Sequence, residues 1–504
     1  MAKSNIRNNF TTLIIVFLVA INIFLSSWSV LHGDINFISD VARDMFLLDE
    51  IRQKTFVLIG PRASGLMFHG PLWSYLNYPG FVIGGGNPVF VGWYWIFLII
   101  VFLVAGYVIA KRLFNKITAT LFVLMASLYL AFHANSLSNP NGGMFAIPFF
   151  FFFFIRYIQT LRIRFLIFHI VTAAAMVQFQ IAMGVPFLFL SVLFTTVFVI
   201  KKRKANHILA YALVPLLLGN FIVFDIRHEF LIAKNAFRHL GTIDSNVTMW
   251  DLVVDRARNI LTGMEFLRFG PPNGQTYAII IFFVFITIQI KNNIHRGIYL
   301  VFLYFFFGFF VLSLANRFPL LSFYVFPLHP FVFLMFASFI TSPHKRVFVC
   351  IFTVIYVLNL VGIYNYINDL NHFIGKNQYS WKAVFTAAST IYQDDEKEFG
   401  YFIYSPDILG YGPRYAMEYA KKVYDKNGFG YQKKPITYLL IEPPARDNPF
   451  TSEEKWKLYQ IHIYSTPVMV KTFDNGYKVE KHLLNAGEIV VPFDPGINPG
   501  LHYR

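Results

Sequence analysis

The sequence predicts a polytopic α-helical membrane protein that carries a small α/β domain at its C-terminus. Of its 504 residues, 56% are hydrophobic and only 14% are charged, whereas an ordinary soluble domain has about 25% charged residues. The apolar residues form continuous runs rather than alternating patterns, which favours membrane helices over a β-barrel. After about residue 366 the chain becomes polar, with frequent glycine and proline. These observations exclude an ordinary soluble protein, a disordered chain and a disulfide-rich scaffold.

Eleven apolar runs are long enough to span a bilayer as helices. The first run lacks a small-residue cleavage site, so we expect a retained helix rather than a signal peptide. We divide the fifth and sixth runs at residues 183–186, because one helix through both would be too long for a bilayer. The predicted spans lie near residues 10–31, 89–110, 117–134, 143–160, 164–181, 183–200, 206–224, 276–290, 297–315, 320–341 and 346–366.

Basic residues predict the orientation of these spans. In this plan every second loop carries lysine or arginine, on the same side as the N-terminal Lys3 and Arg7. The positive-inside rule makes that side the cytoplasm, so we expect a multi-pass protein of the cell (inner or cytoplasmic) membrane. Much of the net charge of +16 therefore serves topology and does not indicate nucleic-acid binding. The loop residues are Lys111, Arg112, Lys116, Arg156, Arg162, Arg164, Lys201, Lys202, Arg203, Lys204, Lys291, Arg296, Lys345 and Arg346.

The same topology divides the chain into two predicted domains. Residues 1–366 form the transmembrane domain, with large outer loops at 32–88 and 225–275. Residues 367–504 are predicted to form an extracytoplasmic α/β domain. Its β-like runs lie at 399–404, 436–441, 468–472 and 488–491, and its helical stretches lie at 414–425 and 452–461. The single cysteine, Cys350, excludes an internal disulfide.

The first outer loop opens with a cluster of charged residues. Asp40, Arg43 and Asp44 are spaced i, i+3 and i+4, so they share a neighbouring face of a predicted helix. Ser39 is placed to cap this helix, with Asp40 in the first turn, where the helix dipole favours a carboxylate. An apolar stripe suited to the membrane interface is formed by Ile38, Val41, Met45 and Leu48. One interpretation is a solvated helix with a local ion pair; the other is a carboxylate held near a lipid head group.

Farther along this loop, His69 precedes a Gly70-Pro71 turn and an aromatic segment that returns to the membrane. Turn chemistry alone explains the glycine and proline, and a lone histidine is more often structural than catalytic. An acidic residue soon after the first span, an amphipathic helix and this His-Gly-Pro-Leu-x-x-Tyr re-entry together resemble the GT-C glycosyltransferases. The nearest likeness is to the protein O-mannosyltransferase and aminoarabinose transferase family (glycosyltransferase family 39-like). It covers about residues 10–230, and the eleven-span plan extends it.

The resemblance implies a donor in which a sugar is linked to polyprenyl phosphate, and chemistry at the outer face of the membrane. It implies that Asp40 is the catalytic base, with Arg43, Asp44 and His69 in contact with substrate. It also raises a divalent cation as a cofactor. That cation is disfavoured because Val41 stands where relatives commonly have Glu, and His69 where they have Lys. The loop before the fourth span has no acidic residue; its Asn139 and Asn141 are sugar-binding candidates, although turn formation is the simpler explanation.

Basic residues after the seventh span are candidates for binding the lipid phosphate. Arg227 can hold a phosphate through two hydrogen bonds, and His228 and Lys234 follow it at the predicted outer interface. Ordinary interfacial anchoring explains these residues equally well. Arg317 is a similar candidate, because a charge between two apolar spans is costly unless it has a partner.

These features predict a membrane glycosyltransferase. The sugar would pass from a polyprenyl-phosphate-linked donor to a hydroxyl of a glycan, lipid or protein acceptor, with inversion and with Asp40 as the general base. The alternative is a membrane transporter or flippase for lipid-linked saccharides, although the predicted spans carry few of the charges typical of transporters. The sequence contains no phosphate-binding glycine-rich loop, no HExxH and no GxSxG motif.

Overall fold

The architecture is that of a multi-pass helical membrane protein with a small C-terminal sheet, seen in a computed structural model. The structure describes residues 2–54, 56–62, 67–241, 248–267, 273–292, 295–315, 320–394, 396–407, 409–443 and 452–498. The first helices are α1 Ala2–Ser26, α2 Trp28–Leu31, α3 Ser39–Lys54, α4 Leu72–Ile83, α5 Pro88–Leu113, α6 Lys116–Ala131, α7 Asn139–Thr160, α8 Ile163–Phe179 and α9 Ile181–Lys201. They are followed by α10 Leu213–Leu217, α11 Gly219–Arg227, α12 Leu231–Gly241, α13 Met249–Thr262, α14 Gly274–Asn292, α15 Arg296–Ser313, α16 Leu328–Ser338 and α17 Lys345–Phe373.

Each predicted span overlaps one or more helical segments. Among the described residues, six helices (α5, α7, α9, α14, α15 and α17) are long and apolar enough to cross a membrane. A seventh apolar segment, Ala205–Leu217 with Gly219–Arg227, is bent by 49°. Shorter apolar helices at Leu13–Ser26, Lys116–Ala131, Ile163–Phe179 and Leu328–Thr341 cover the other predicted spans. The division expected at residues 183–186 is wrong: the break between α8 and α9 lies at Gln180, whose extended backbone (φ −152°, ψ 106°) ends α8, and residues 183–186 lie within α9.

Aromatic rings fill the interior of the helical bundle. The run of phenylalanines in α7 contributes Phe150 and Phe154, which are fully buried. Both contact Phe305 of α15 edge to face, at centroid distances of 5.0 and 5.2 Å. Such pairs add about 0.5–1.5 kcal/mol to the burial of their area. The aromatic composition therefore stabilises contacts between helices that are far apart in the chain.

The C-terminal residues form the predicted α/β structure. Its helices are α18 Trp381–Gln393, α19 Tyr411–Tyr424, α20 Glu453–Lys455 and α21 Ala486–Val490. Its strands are β1 Glu398–Tyr404, β2 Asn427–Gly430, β3 Ile436–Ile441, β4 Met469–Thr472 and β5 Lys478–Leu483, in the order β2-β1-β3-β5-β4. Strand β1 is parallel to β2 and β3, and β5 is antiparallel to β3 and β4. The strand expected at 488–491 is wrong: Asn485 caps α21 there by accepting from Glu488 N at 2.9 Å.

Asp34 joins the first outer loop to the C-terminal sheet domain. Its carboxylate is fully buried and accepts hydrogen bonds from the backbone N–H groups of Gly375 and Lys382, each at 3.0 Å. It also accepts from the hydroxyl of Ser380 at 2.5 Å. A carboxylate held by several donors fixes the backbone on both sides. The start of α3 is thereby held against the C-terminal domain.

Helix α3 is buried within the protein rather than in the membrane interface. Its stripe residues Val41, Met45 and Leu48 are each 1% exposed. On the same helix, Phe46 contacts Tyr415 of α19 edge to face at 5.2 Å. The expected interfacial location of the stripe is therefore wrong, because α19 and neighbouring helices cover it. Ser39 also does not cap α3; its hydroxyl donates to Asp407 Oδ2 at 2.7 Å.

Candidate functional site

A cavity of about 620 Å³ lies between the first outer loop and the ends of the membrane helices. The first loop contributes residues from Asn36 to Arg43, together with Arg62 and His69. The turn between α6 and α7 contributes residues 132–140, and the end of α17 contributes Tyr366 and Asp369. The segment before α16 contributes Phe323, Tyr324 and Phe326, so the cavity combines four segments that are distant in sequence. It brings together Asp40, Arg43 and His69, three of the residues singled out by the sequence.

The charged cluster of α3 forms one wall of this cavity. Arg43 Nη1 lies 2.7 Å from Asp40 Oδ1, and Arg43 Nη2 lies 3.2 Å from Asp44 Oδ1. The Asp40 side chain is 53% exposed, whereas those of Arg43 and Asp44 are 15% and 6% exposed. One guanidinium thus holds two carboxylates, a half-exposed one that lines the cavity and a buried one behind it. This arrangement fixes the orientation of Asp40 while leaving its carboxylate accessible.

The carboxyl group of Asp44 has a raised pKa. Burial raises the pKa of Asp44 to about 6, and the charge of Arg43 opposes this rise. Because the folded protein binds this proton more tightly, the stability from Asp44 is complete below pH 3.8 and is lost as the pH rises through about 6. We expect Asp44→Asn to remove this pH-dependent contribution to the free energy of unfolding, which changes by about 3 kcal/mol between pH 3.8 and about 6. The melting temperature of the variant relative to wild type should rise from pH 4 to pH 7; a flat or falling difference would contradict the buried location of Asp44.

Two glycines position His69 beside this cluster. Gly60 N donates to His69 O at 2.9 Å, His69 N donates to Pro61 O at 3.0 Å, and Gly70 N donates to Gln178 O at 2.8 Å. A Cβ on Gly70 would lie 1.7 Å from Gln178 Oε1, and one on Gly60 would lie 2.3 Å from Gly70 O. Only glycine fits either position without displacement of its neighbours. The Gly-Pro sequence therefore provides a close approach to α8 as well as a turn.

His69 is neutral in this environment. Burial lowers the pKa of His69 to about 3, and the nearby charge of Arg43 lowers it further. Its Nδ1 atom is buried and has no hydrogen-bond partner within the described part of the chain. A neutral imidazole has one N–H donor and one acceptor. His69 can therefore give a substrate a hydrogen bond but not a positive charge.

Another part of the cavity wall, formed by residues 132–140, is rich in uncharged polar groups. Asn135, Ser136, Ser138 and Asn139 all line the cavity. Asn139 is 2% exposed, and neither atom of its side-chain amide has a hydrogen-bond partner within the described residues. Buried polar groups are nearly always paired, so unpaired ones on a cavity wall indicate a binding site. The simpler explanation of Asn139 as a turn residue does not account for its burial.

Arg62 is a cavity residue that the sequence analysis missed. It is exposed and lines the cavity together with Asp40 and His69. Its backbone forms an isolated β-bridge with Phe68, the residue before His69. No helical or strand periodicity surrounds Arg62 in the sequence, so no local pattern indicates its location. Asn36 and Tyr366 are also cavity residues that the sequence analysis missed.

The basic residues after the seventh span lie apart from the cavity. Arg227, His228 and Lys234 are exposed near the end of α11 and the start of α12, and none is among the described lining residues. His228 stacks on Phe224 at 3.9 Å, and Phe224 contacts Phe68 at 5.4 Å. This helix end therefore supports the His69 loop from behind. We leave these three residues out of the proposed site, and Arg317 lies outside the described residues.

A divalent cation finds no adequate ligand set among the described residues. No group of three or more His, Cys, Asp or Glu side chains there could hold a metal ion. Two carboxylates of the cluster, those of Asp40 and Asp44, are already paired with the Arg43 guanidinium. Both carboxylates are therefore engaged by arginine, and no metal is assigned to the cluster.

The helical bundle, the first loop with its aspartate and the small C-terminal sheet form the fold that the resemblance to the GT-C glycosyltransferases predicts. Two solved structures share it along nearly their whole length. ArnT from Cupriavidus metallidurans bound to undecaprenyl phosphate aligns with a TM-score of 0.58 and 10% identity, covering 92% of this chain and 97% of that one. The apo structure of the same protein aligns with a TM-score of 0.59 and 11% identity, covering 94% and 98%. The fold predicted from the resemblance is confirmed.

Sequence comparison adds nothing to this finding: no protein-family model and no curated protein sequence matches the chain. At 10–11% identity the two structural matches show the fold alone. Function must therefore be argued from the residues of the cavity.

Proposed function

We propose that this protein is a GT-C-type membrane glycosyltransferase. It moves a sugar from a polyprenyl-phosphate carrier to the hydroxyl of a glycan, lipid or protein of the cell envelope. The observation that carries the proposal is the half-exposed Asp40, held by Arg43 at 2.7 Å on the wall of a cavity of about 620 Å³. The ArnT structure bound to undecaprenyl phosphate supports a lipid of this class as a ligand of the same fold.

In the proposed reaction the sugar is transferred in one step with inversion. The oxygen of the acceptor hydroxyl attacks the anomeric carbon, its proton passes to the Asp40 carboxylate, and the bond from that carbon to the phosphate oxygen breaks. The electron pair of that bond leaves with the polyprenyl phosphate. Phosphate is a good leaving group, so charge stabilisation is more important than protonation by an acid. Arg62 supplies that charge from the cavity wall, and neutral His69 supplies a hydrogen bond.

The orientation of the protein is part of this proposal. Lysine and arginine are concentrated in the loops at the opposite end of the predicted spans from the cavity. By the positive-inside rule that end and the N-terminus face the cytoplasm of the cell membrane. The cavity and the domain predicted at 367–504 then lie on the extracytoplasmic side, where polyprenyl-phosphate-linked sugars serve as donors.

Reconstitution into liposomes tests the proposal. We expect the purified protein to convert an undecaprenyl-phosphate-linked sugar, labelled in the sugar, into labelled envelope acceptor and free undecaprenyl phosphate, as measured by mass spectrometry. Heat-treated protein is the control. A transporter or flippase would instead move the labelled lipid across the bilayer with its sugar–phosphate bond intact. Movement of intact lipid without bond cleavage would therefore reject the enzyme in favour of that alternative.

A further inference from the structure

Asn139 is the least satisfied polar side chain on the cavity wall. It is 2% exposed, yet both Nδ2 and Oδ1 lack hydrogen-bond partners within the described residues. Burial of a donor and an acceptor without partners lowers stability. Asn139 nevertheless lines a cavity that is large enough for a ligand. A ligand that pairs with both atoms would remove this unfavourable contribution.

The local structure does not need this amide. Asn139 is the first residue of α7, but the helix start is closed by Asn141, whose Oδ1 accepts from Ser138 N at 2.9 Å. Pro140 follows and is favourable in the first turn of a helix, where an N–H would have no partner. The turn chemistry of this segment is therefore complete without the Asn139 side chain.

The surrounding wall indicates the chemistry of that ligand. Residues 135–140 (Asn-Ser-Leu-Ser-Asn-Pro) contain no charged side chain. Asn135, Ser136 and Ser138 line the cavity beside Asn139 and offer only neutral donors and acceptors. Of the charged lining residues, Asp40, Arg43 and Arg62 come from the loop predicted at 32–88, and Asp369 comes from the end of α17. The segment 135–140 is thus an uncharged polar part of the lining, whereas the charges suited to the phosphate and to proton transfer come from other segments.

From this division we propose that Asn139 binds the sugar of the donor, and that this sugar carries no charged substituent where it meets residues 135–140. The amide donates from Nδ2 to one ring hydroxyl and accepts at Oδ1 from the adjacent hydroxyl. One planar group thereby satisfies two neighbouring hydroxyls, a pairing that a charged side chain does not reproduce. This inference rests on the proposed function, since it assigns a sugar-binding subsite within the same cavity.

The test separates sugar binding from lipid binding. Affinities of the full-length protein in detergent are measured for undecaprenyl phosphate and for the same lipid linked to glucose, galactose, mannose or aminoarabinose. We expect wild type to bind at least one uncharged-sugar lipid more tightly than undecaprenyl phosphate. Asn139→Ala should reduce that affinity by about tenfold and leave undecaprenyl phosphate binding unchanged. Its melting temperature without ligand should equal or exceed that of wild type, because two unpaired polar atoms are removed.

Asn77→Ala is the matched control. Asn77 is also 2% exposed, but its amide donates to Trp73 O at 2.8 Å and accepts from Trp95 Nε1 at 2.7 Å. This variant should melt at a lower temperature and keep the wild-type preference for the sugar-linked lipid. If that preference survives Asn139→Ala, or if only the aminoarabinose lipid is preferred, the inference is overturned while the enzyme proposal stands. Failure of wild type to bind any of the lipids, undecaprenyl phosphate included, would overturn both.

Discussion

Replacement of Asp40 by Asn is expected to lower the rate of sugar transfer by about a thousandfold, within the usual contribution of a general base. The amide keeps the size of the carboxylate and still fits beside Arg43, but it cannot accept the proton of the acceptor hydroxyl. The affinity for undecaprenyl phosphate should change less than about twofold, because the phosphate is proposed to contact Arg62 and His69 rather than Asp40. Transfer rate and lipid affinity are measured on the same reconstituted preparation.

The chain offers a closely matched control for this substitution. Asp49 lies on the same helix and pairs with Arg52 at the same i, i+3 spacing as Asp40 with Arg43. It is not among the described residues that line the cavity. Asp49→Asn should therefore retain wild-type transfer. Full activity of a correctly inserted Asp40→Asn variant, or an equal loss in both variants, would contradict the role of Asp40 as the base.

Arg43→Met is expected to destabilise the protein by about 3 kcal/mol at neutral pH and to abolish transfer. The substitution removes the partner of Asp44, whose side chain is only 6% exposed, and releases Asp40 from its fixed orientation. The loss of stability should be smaller at pH 4, where Asp44 becomes protonated and no longer requires a positive partner. Melting temperatures at pH 4 and pH 7 measure both effects.

A double variant distinguishes the two roles of Arg43. Arg43→Met combined with Asp44→Asn should recover most of the stability, since no buried charge remains, but should stay inactive because Asp40 lacks its positioning contact. Arg52→Met is the surface control; Arg52 is 42% exposed, and its loss should cost less than about 1 kcal/mol. Recovery of transfer in the double variant would show that Arg43 does not position Asp40.

The membrane plan could be predicted because a bilayer demands long apolar helices. All the predicted spans overlap helical segments. The span predicted at 206–224 covers most of the bent pair Ala205–Leu217 and Gly219–Arg227. Strand β5 was missed because four of its six residues, Lys478, Glu480, Lys481 and His482, are polar or charged. Glu480 in that strand is 3% exposed and pairs with Lys457, Lys478 and His482. The pair with Lys457 comes from outside the strand, so the local sequence does not reveal that Glu480 is buried.

The site was predictable only where its residues are close in sequence. Helical spacing was enough to place Asp40, Arg43 and Asp44 together, and the structure shows the ion pairs. Asn139 is attributed to a turn because Asn-Pro-Asn-Gly-Gly has the composition of one. Its burial and its unpaired amide depend on the packing of α7 against other elements. Arg227 and Lys234 were selected for their chemical type, but their distance from the cavity depends on the path of α11 and α12.

The most direct test of the central claim is a cryo-electron microscopy structure of the protein with bound undecaprenyl phosphate. We expect the phosphate to occupy the cavity within hydrogen-bonding distance of Arg62 and His69, on the wall that carries Asp40. The lipid chain should extend from the cavity toward the membrane. A phosphate located outside this cavity, for example beside Arg227 and Lys234, would contradict the proposed active site.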